Sequence, residues 1–298
     1  MARFSFKSPE QQALSVAKDF TRSNALDSIR TVDNYRGALE RVAKNMQQYG
    51  LGDSLRGMTP ETANSYLKIR AEEVRQSQLN MERQAIQCMM HNITKTLDKN
   101  NKLDSLIKSE RETIEASRSY TPEQVHAIAS AQTERNALAT EIAYAAGLRA
   151  HELLTLQRIE ERAPSNRSAL ESKFNGRDGV SYTIQGKGGL VRKVVLPHSL
   201  SERLESKRLD TANTVSDRGI NYRSQYDIAG GQRWSNSFSA ASNRVLGWSS
   251  GAHGVRHSYA QERMSELQNQ RLNYTTRLET VSQEMGHFRP DITEVYLR

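Results

Sequence analysis

The chain has a single cysteine, Cys88, so no disulfide can form within it. Cys88 falls in an apolar helical pattern and is expected in a core. No apolar run approaches the ~20 residues that cross a bilayer. The opening residues, Met1 to Ser5, lack the apolar stretch of a secretory signal. A cytoplasmic protein is the expectation. No convincing cluster of carboxylates suggests a divalent ion, so neither a metal nor another cofactor is expected. Two apparent motifs fail on inspection. His151-Glu152-Leu153-Leu154-Thr155 opens like a zinc-protease helix but lacks the second histidine. Gly186-Lys187-Gly188 lacks both the earlier glycine spacing and the hydroxyl residue of a nucleotide-binding loop.

Charge is what the chain has. Formal net charge is +8 over 298 residues, with 36% apolar residues, enough for two cored domains under a very polar surface. Residues 1–119 hold 19 Lys+Arg against 15 Asp+Glu, and residues 120–298 hold 23 against 19. The excess is thus shared between two modules, and it suggests a polyanionic partner without identifying one.

The N-terminal third reads as an all-α domain. Asp27 or Ser28 caps a segment with apolar residues at Ile29, Val32, Leu39, Val42 and Met46, and Gly50 lies near its end. Thr59-Pro60-Glu61 starts the next helix, with proline where its missing N–H does no harm. Leu79, Ile86, Met89, Met90, Ile93 and Leu97 mark a third at helical spacing. Residues 100–119 are polar and read as a linker, with Leu103, Leu106 and Ile107 supporting a short helix inside it. The expected domains are therefore 1–99 and 120–298.

The second domain begins at Thr121-Pro122-Glu123-Gln124, a capping-box pattern. Helices are expected over 122–131 and 134–146, stopping at Gly147, with another from near Ala150. Val180, Tyr182 and Ile184 then alternate with polar residues, and Val191 to Leu196 follow a glycine-rich turn at 186–189. This is a β-hairpin, ended by Pro197. Residues 209–252 carry no readable period. Helices resume after Arg256 and continue through Leu278, Val281 and Met285. The fold class is mainly α with a small β-hairpin or sheet.

One ordered set of residues carries chemistry: Arg149 in Gly-Leu-Arg, Lys187 in the glycine turn, His253-Gly-Val-Arg256-His257, His287, and Tyr296 nine positions after His287. Attack on a phosphodiester needs a nucleophile, stabilisation of charge on the non-bridging oxygens, and a proton for the leaving oxygen. Two guanidiniums can supply the second without a metal, because each is always charged and its fork fits two phosphate oxygens. Taken singly, each residue has an ordinary explanation as a surface cation, a capping histidine or a packed tyrosine. Their conjunction, in order and at these spacings, is what points to phosphoryl transfer.

This set resembles the tyrosine recombinase (phage integrase) family, strongly over residues 120–298 and only in general helical character before that. The resemblance implies two domains forming a DNA clamp: a helical core-binding domain and an α+β catalytic domain. It implies that Tyr296 forms a 3′-phosphotyrosyl bond, that Arg149 and Arg256 clamp the phosphate, and that His253 moves the tyrosine proton. His287 would hydrogen-bond the phosphate, and Lys187 would protonate the leaving 5′ hydroxyl. Glu152 and His257 would fix the arginine and the loop. The partners implied are double-stranded DNA with paired sites and further copies of the chain, at the nucleoid. Basic residues expected to touch DNA are Arg75, Arg83, Arg192, Lys193, Arg223, Arg233 and Arg244. Integration or excision of a mobile element is the leading role. A relaxing enzyme of the type IB topoisomerase kind, or a catalytically impaired DNA-binding accessory protein, are the alternatives.

Two departures stand beside the resemblance. Family members continue past the tyrosine into a segment that docks on a neighbour, whereas Leu297 and Arg298 are all that follow Tyr296 here. Either that segment lies outside this sequence or neighbours meet through another surface. The stretch from Arg256 to His287 is also longer than the family's, with Gln268 to Asn273 reading as an inserted loop.

Overall fold

The computed structural model describes residues 8–26, 28–111 and 117–298. Asp27, the N-terminal segment before Ser8 and the middle of the expected linker lie outside the described residues. The chain divides into two compact units, Met1–Ile114 and Glu115–Arg298.

The first unit is helical: α1 (Pro9–Arg22), α2 (Ile29–Gln48), α3 (Pro60–Glu73) and α4 (Gln76–Met89). Helix α1 was not expected. It starts at a capping box in which the Ser8 hydroxyl accepts from Gln11 N and the Gln11 side chain accepts from Ser8 N. Ser28 caps α2, and Thr59 caps α3 ahead of Pro60. The apolar stripes meet in one core that includes Phe20, Leu39, Val42, Met46, Tyr66, Leu67, Ile86 and Met89. Each such fully buried side chain contributes about 1.5–3 kcal/mol by leaving water. Cys88 is only half-buried and packs at the margin of this core.

The start of the expected linker belongs to this unit instead. Leu103 and Ile107 are buried in its core, while Leu106 is 84% exposed. No helix forms there. The backbone is satisfied by side chains of the helices, with Leu103 N donating to Gln87 Oε1 (3.0 Å) and Ser109 N to Gln76 Oε1 (2.8 Å). Two apolar side chains and these bonds hold residues 100–111 against the helices, which composition alone did not reveal.

The second unit opens with α5 (Pro122–Ser130), capped by the Thr121/Gln124 box, and α6 (Glu134–Ala146). Gly147 ends α6 in the left-handed region (φ 58°). A side chain there is excluded twice over, by that φ and because a Cβ would lie 2.7 Å from the Tyr259 ring. The helix expected from Ala150 is a single 3-10 turn, Glu152–Thr155. A short strand β1 (Gln157–Arg158) then joins β2 (Val180–Gln185) and β3 (Val191–Leu196) in an antiparallel sheet of order β1-β2-β3. Register runs from Val180 opposite Leu196 to Gln185 opposite Val191, so Tyr182, Ile184, Val194 and Leu196 face the core.

After α7 (His198–Glu205), the unreadable stretch is regular. It holds a ribbon of β4 (Arg208–Asp217) and β5 (Ile220–Tyr226), then α8 (Gly231–Leu246). Arg218 and Gly219 both have positive φ at the ribbon's turn, as a two-residue hairpin requires. Trp234, Phe238 and Ala241 are the buried stripe of α8. Next come α9 (Gly254–Asn269), α10 (Tyr274–Met285) and the short α11 (Pro290–Glu294). The suspected insertion extends the end of α9, and Asn273 caps α10. Tyr259, Leu267, Leu278, Val281, Met285 and Tyr296 form a second core that seats the end of the chain. Among the described residues, no helix is long and apolar enough to cross a membrane.

Candidate active site

The site is built on one buried carboxylate. Glu152 is fully buried at the start of the 3-10 turn. Its Oε1 accepts from Arg149 Nη1 (2.7 Å) and its Oε2 from Arg149 N (2.9 Å) and Arg192 Nη2 (2.8 Å). Arg256 Nη1 lies 3.8 Å from the same Oε2. Burial alone would raise the Glu152 pKa, but the charges of Arg192, Arg256 and Arg149, with the Arg149 N–H, hold it well below the usual carboxylate range. Arg149 and Arg256, far apart in sequence, are thereby neighbours on one anchor.

Arg256 sits in the first turn of α9 and is fully buried. Its guanidinium donates to the carbonyl of Gly147, to Met285 O (3.3 Å) and to His287 Nε2 (2.9 Å). Burial first, then the charge of Arg149, lowers its pKa to about 10, with Glu152 opposing. It stays charged at neutral pH. Among the described residues its Nε has no hydrogen-bond partner.

Tyr296 lies in the turn after α11, 9% exposed. The Arg256 guanidinium carbon is 5.5 Å from the centre of its ring. Three histidine rings surround it, with centroid distances of 4.7 Å to His257, 5.0 Å to His287 and 5.4 Å to His253. The Tyr296 hydroxyl is 3.2 Å from His253 Nε2. Gln261, one helical turn beyond His257, clasps the end of the chain by donating to Tyr296 O (3.2 Å) and Arg298 O (3.1 Å).

All three histidines are held neutral. Loss of hydration and then the Arg256 and Arg149 charges lower His287 to about 3. Loss of hydration and then Arg118 lower His257 to about 4. Loss of hydration and then Arg256 lower His253 as well, although its exposure to solvent tempers the effect. Neutral His253 carries a lone pair able to accept a phenolic proton.

The structure thus gathers Arg149, Glu152, His253, Arg256, His257, His287 and Tyr296. Lys187 occupies the turn between β2 and β3, and Gly188 has positive φ there. The Lys187 side chain lies outside the described part of the structure.

Two of the expected DNA contacts must be corrected. Arg192 is 3% exposed, and besides Glu152 its guanidinium bonds Glu284 O (2.6 Å). It braces the anchor and is not a free surface cation. The strand alternation already placed it on the inner face with Val194 and Leu196. Arg83 is 9% exposed, held by Asn80 Oδ1 (2.9 Å) and the Ile107 carbonyl. Arg75, Arg223, Arg233 and Arg244 are exposed, and Lys193 is half-buried beside Phe174. Sequence reasoning missed Gln261 and also Thr293, whose hydroxyl lies 3.0 Å from His287 Nδ1. Nothing in their spacing distinguishes them from ordinary helix residues.

No protein-family model matches this chain, and no curated protein does. Solved structures do. One is the XerH site-specific recombinase bound to a palindromic difH substrate in a post-cleavage complex (TM-score 0.58, 15% identity, 99% of this chain and 94% of that one). Another is a dimer of lambda integrase residues 75–356 bound to a COC′ core site (TM-score 0.59, 16% identity, 97% and 95%). A third is a lambda integrase tetramer bound to a Holliday junction (TM-score 0.58, 15% identity, 96% and 76%). Over nearly its whole length, this chain has the tyrosine recombinase and integrase fold.

Proposed function

We propose that this chain is a site-specific DNA recombinase that breaks and rejoins strands through a 3′-phosphotyrosyl intermediate, in integration or excision of a mobile element. One observation carries the reading most: the Tyr296 hydroxyl lies 3.2 Å from His253 Nε2, beside an Arg256 that shares the Glu152 anchor with Arg149. Nucleophile, proton acceptor and two fixed positive charges meet there.

Tyr296 Oη attacks the phosphorus, the phenolic proton passes to His253 Nε2, and the bond from phosphorus to the 5′ oxygen breaks. A tyrosine hydroxyl is a weak nucleophile until a neighbouring base takes its proton. Arg149 and Arg256 oppose the charge growing on the non-bridging oxygens. Being preorganised by Glu152, they reorganise little during the step, and such donors are worth roughly 3–4 kcal/mol each. Lys187 supplies the proton to the leaving 5′ oxygen. The ester to Tyr296 keeps the bond energy, so the reverse attack by a 5′ hydroxyl reseals without ATP.

Double-stranded DNA is the proposed partner, with Arg75, Arg223, Arg233 and Arg244 as phosphate contacts and assembly of several copies on paired sites. The dimeric and tetrameric DNA complexes of similar fold support this.

The test is a nicked suicide duplex run on a denaturing gel. The native chain should yield a protein–DNA adduct, and Tyr296→Phe should bind DNA but yield none. An adduct that survives the substitution overturns the assignment. New joints between two duplexes, rather than a changed linking number, distinguish recombination from relaxation.

A further inference from the structure

The contacts of His287 settle where its proton sits. Arg256 has only donors, so the 2.9 Å contact between its Nη2 and His287 Nε2 makes Nε2 the acceptor. The neutral ring then carries its proton on Nδ1. That proton points at Thr293 Oγ1, 3.0 Å away, on a side chain with no solvent exposure. Charged groups acting on the ring are Arg256, Arg149, Arg192 and Glu152, and among the described residues no carboxylate is bonded to Nδ1. The Arg256 donor therefore selects the tautomer, and the Thr293 hydroxyl, able to donate or accept, takes the Nδ1 proton and fixes the plane of the ring.

We infer that Thr293 is a positioning residue: by accepting from His287 Nδ1 it turns the Nε2 lone pair onto Arg256 and fixes that guanidinium before a phosphate arrives. The relay runs Thr293 to His287 to Arg256. It explains why α11 packs where it does, since Thr293 and Tyr296 stand one helical turn apart on the same short segment. Docking the nucleophile and orienting the clamp become one event. When a phosphate enters, its oxygen replaces the ring as the Arg256 partner, and Nε2, freed and protonated from solvent, hydrogen-bonds a phosphate oxygen while keeping its proton. Nδ1–H stays on Thr293, so the ring does not turn. A hydroxyl suits this place because it accepts without adding charge. A carboxylate there would charge the ring in the resting state.

This inference rests on the phosphotyrosyl reading for its consequence but not for its geometry, and two measurements separate them. The first is nitrogen-15 NMR of histidine-labelled protein without DNA, with His287 assigned by its loss in His287→Gln. The native chain should show a protonated Nδ1 and a bare Nε2 at His287. Thr293→Val should keep Nε2 bare but lose the Nδ1–H hydrogen bond, shifting the Nδ1 resonance, and Thr293→Ser should restore it. A native ring protonated on Nε2, or a Thr293→Val ring unchanged, overturns the inference. The second is the rate of adduct formation on the nicked duplex. Thr293→Val should slow it about tenfold, as expected for a buried donor left without its acceptor, and Thr293→Ser should recover most of it. An unchanged rate in Thr293→Val beside a working native chain overturns the relay. A native chain that forms no adduct overturns the phosphotyrosyl reading, while the NMR result still decides the tautomer.

Discussion

Glu152→Gln is the sharpest perturbation of this site. The side chain keeps its shape but loses its charge beneath three guanidiniums, at 2.7 Å from Arg149, 2.8 Å from Arg192 and 3.8 Å from Arg256. Arg192 and Arg256 are themselves buried, so water cannot replace the lost carboxylate. Breaking a buried ion pair by removing one partner costs about 3–5 kcal/mol. An amide still offers one carbonyl oxygen, which places the variant near about 3 kcal/mol. For a unit of this size, about 1 kcal/mol moves the melting point by about 2–4 °C, so the second unit should melt roughly 6–12 °C lower. The unbalanced positive charge should at the same time bind anions better. Sulfate at ~100 times its dissociation constant stabilises by about 2.7 kcal/mol, so it should rescue the variant more than the native chain. The assay is thermal melting with and without sulfate, with exposed Glu160→Gln as control. A Glu152→Gln melting point within about 2 °C of native, or equal sulfate effects on both, would refute the anchor argument.

Two further outcomes follow from the same geometry. His287 and His257 are depressed to about 3 and about 4, while the unfolded chain titrates near 6.5. The unfolded state therefore binds protons first: stability is whole above pH ~6.5 and is lost as pH falls towards those native values, with His257 alone costing about 1.4 kcal/mol at pH ~5.5. Urea unfolding that gives the same stability at pH ~7.5 and ~5.5 would contradict this. Separately, Arg223→Ala and Arg233→Ala should each flatten the salt dependence of DNA binding by about one unit of slope and leave melting unchanged. Arg192→Ala should instead lower the melting point, because it strips Glu152 of a buried partner, and a normally folded Arg192→Ala with only weakened DNA binding would return Arg192 to the surface.

Local chemistry determined much of this protein in advance. Ser28, Thr59 and Thr121 cap helices where their side chains match the first turn, and Gly147 stops α6 because only glycine fits its φ and the Tyr259 ring. The hairpin of β2 and β3 was legible because one face is buried and period-two alternation is its direct signature. The set proposed for the chemistry could be picked out because Arg149, Arg256, His287 and Tyr296 stand at recognisable spacings. What failed was legibility wherever burial left no apolar trace. The β4–β5 ribbon is built largely of polar residues, and α8 hides three buried apolar residues among serines and asparagines. Residues 103–107 look like linker because two side chains suffice to pin them. Alternation along β3 puts Arg192 on the inner face, but only tertiary structure could show that it is sealed against Glu152 while Arg223 faces water. It also decided the direction of the His287 proton, because that depends on Thr293 and Arg256 converging on one ring from two different helices. Spacing along a chain reports which face a residue shares; it carries no record of what approaches that face from elsewhere.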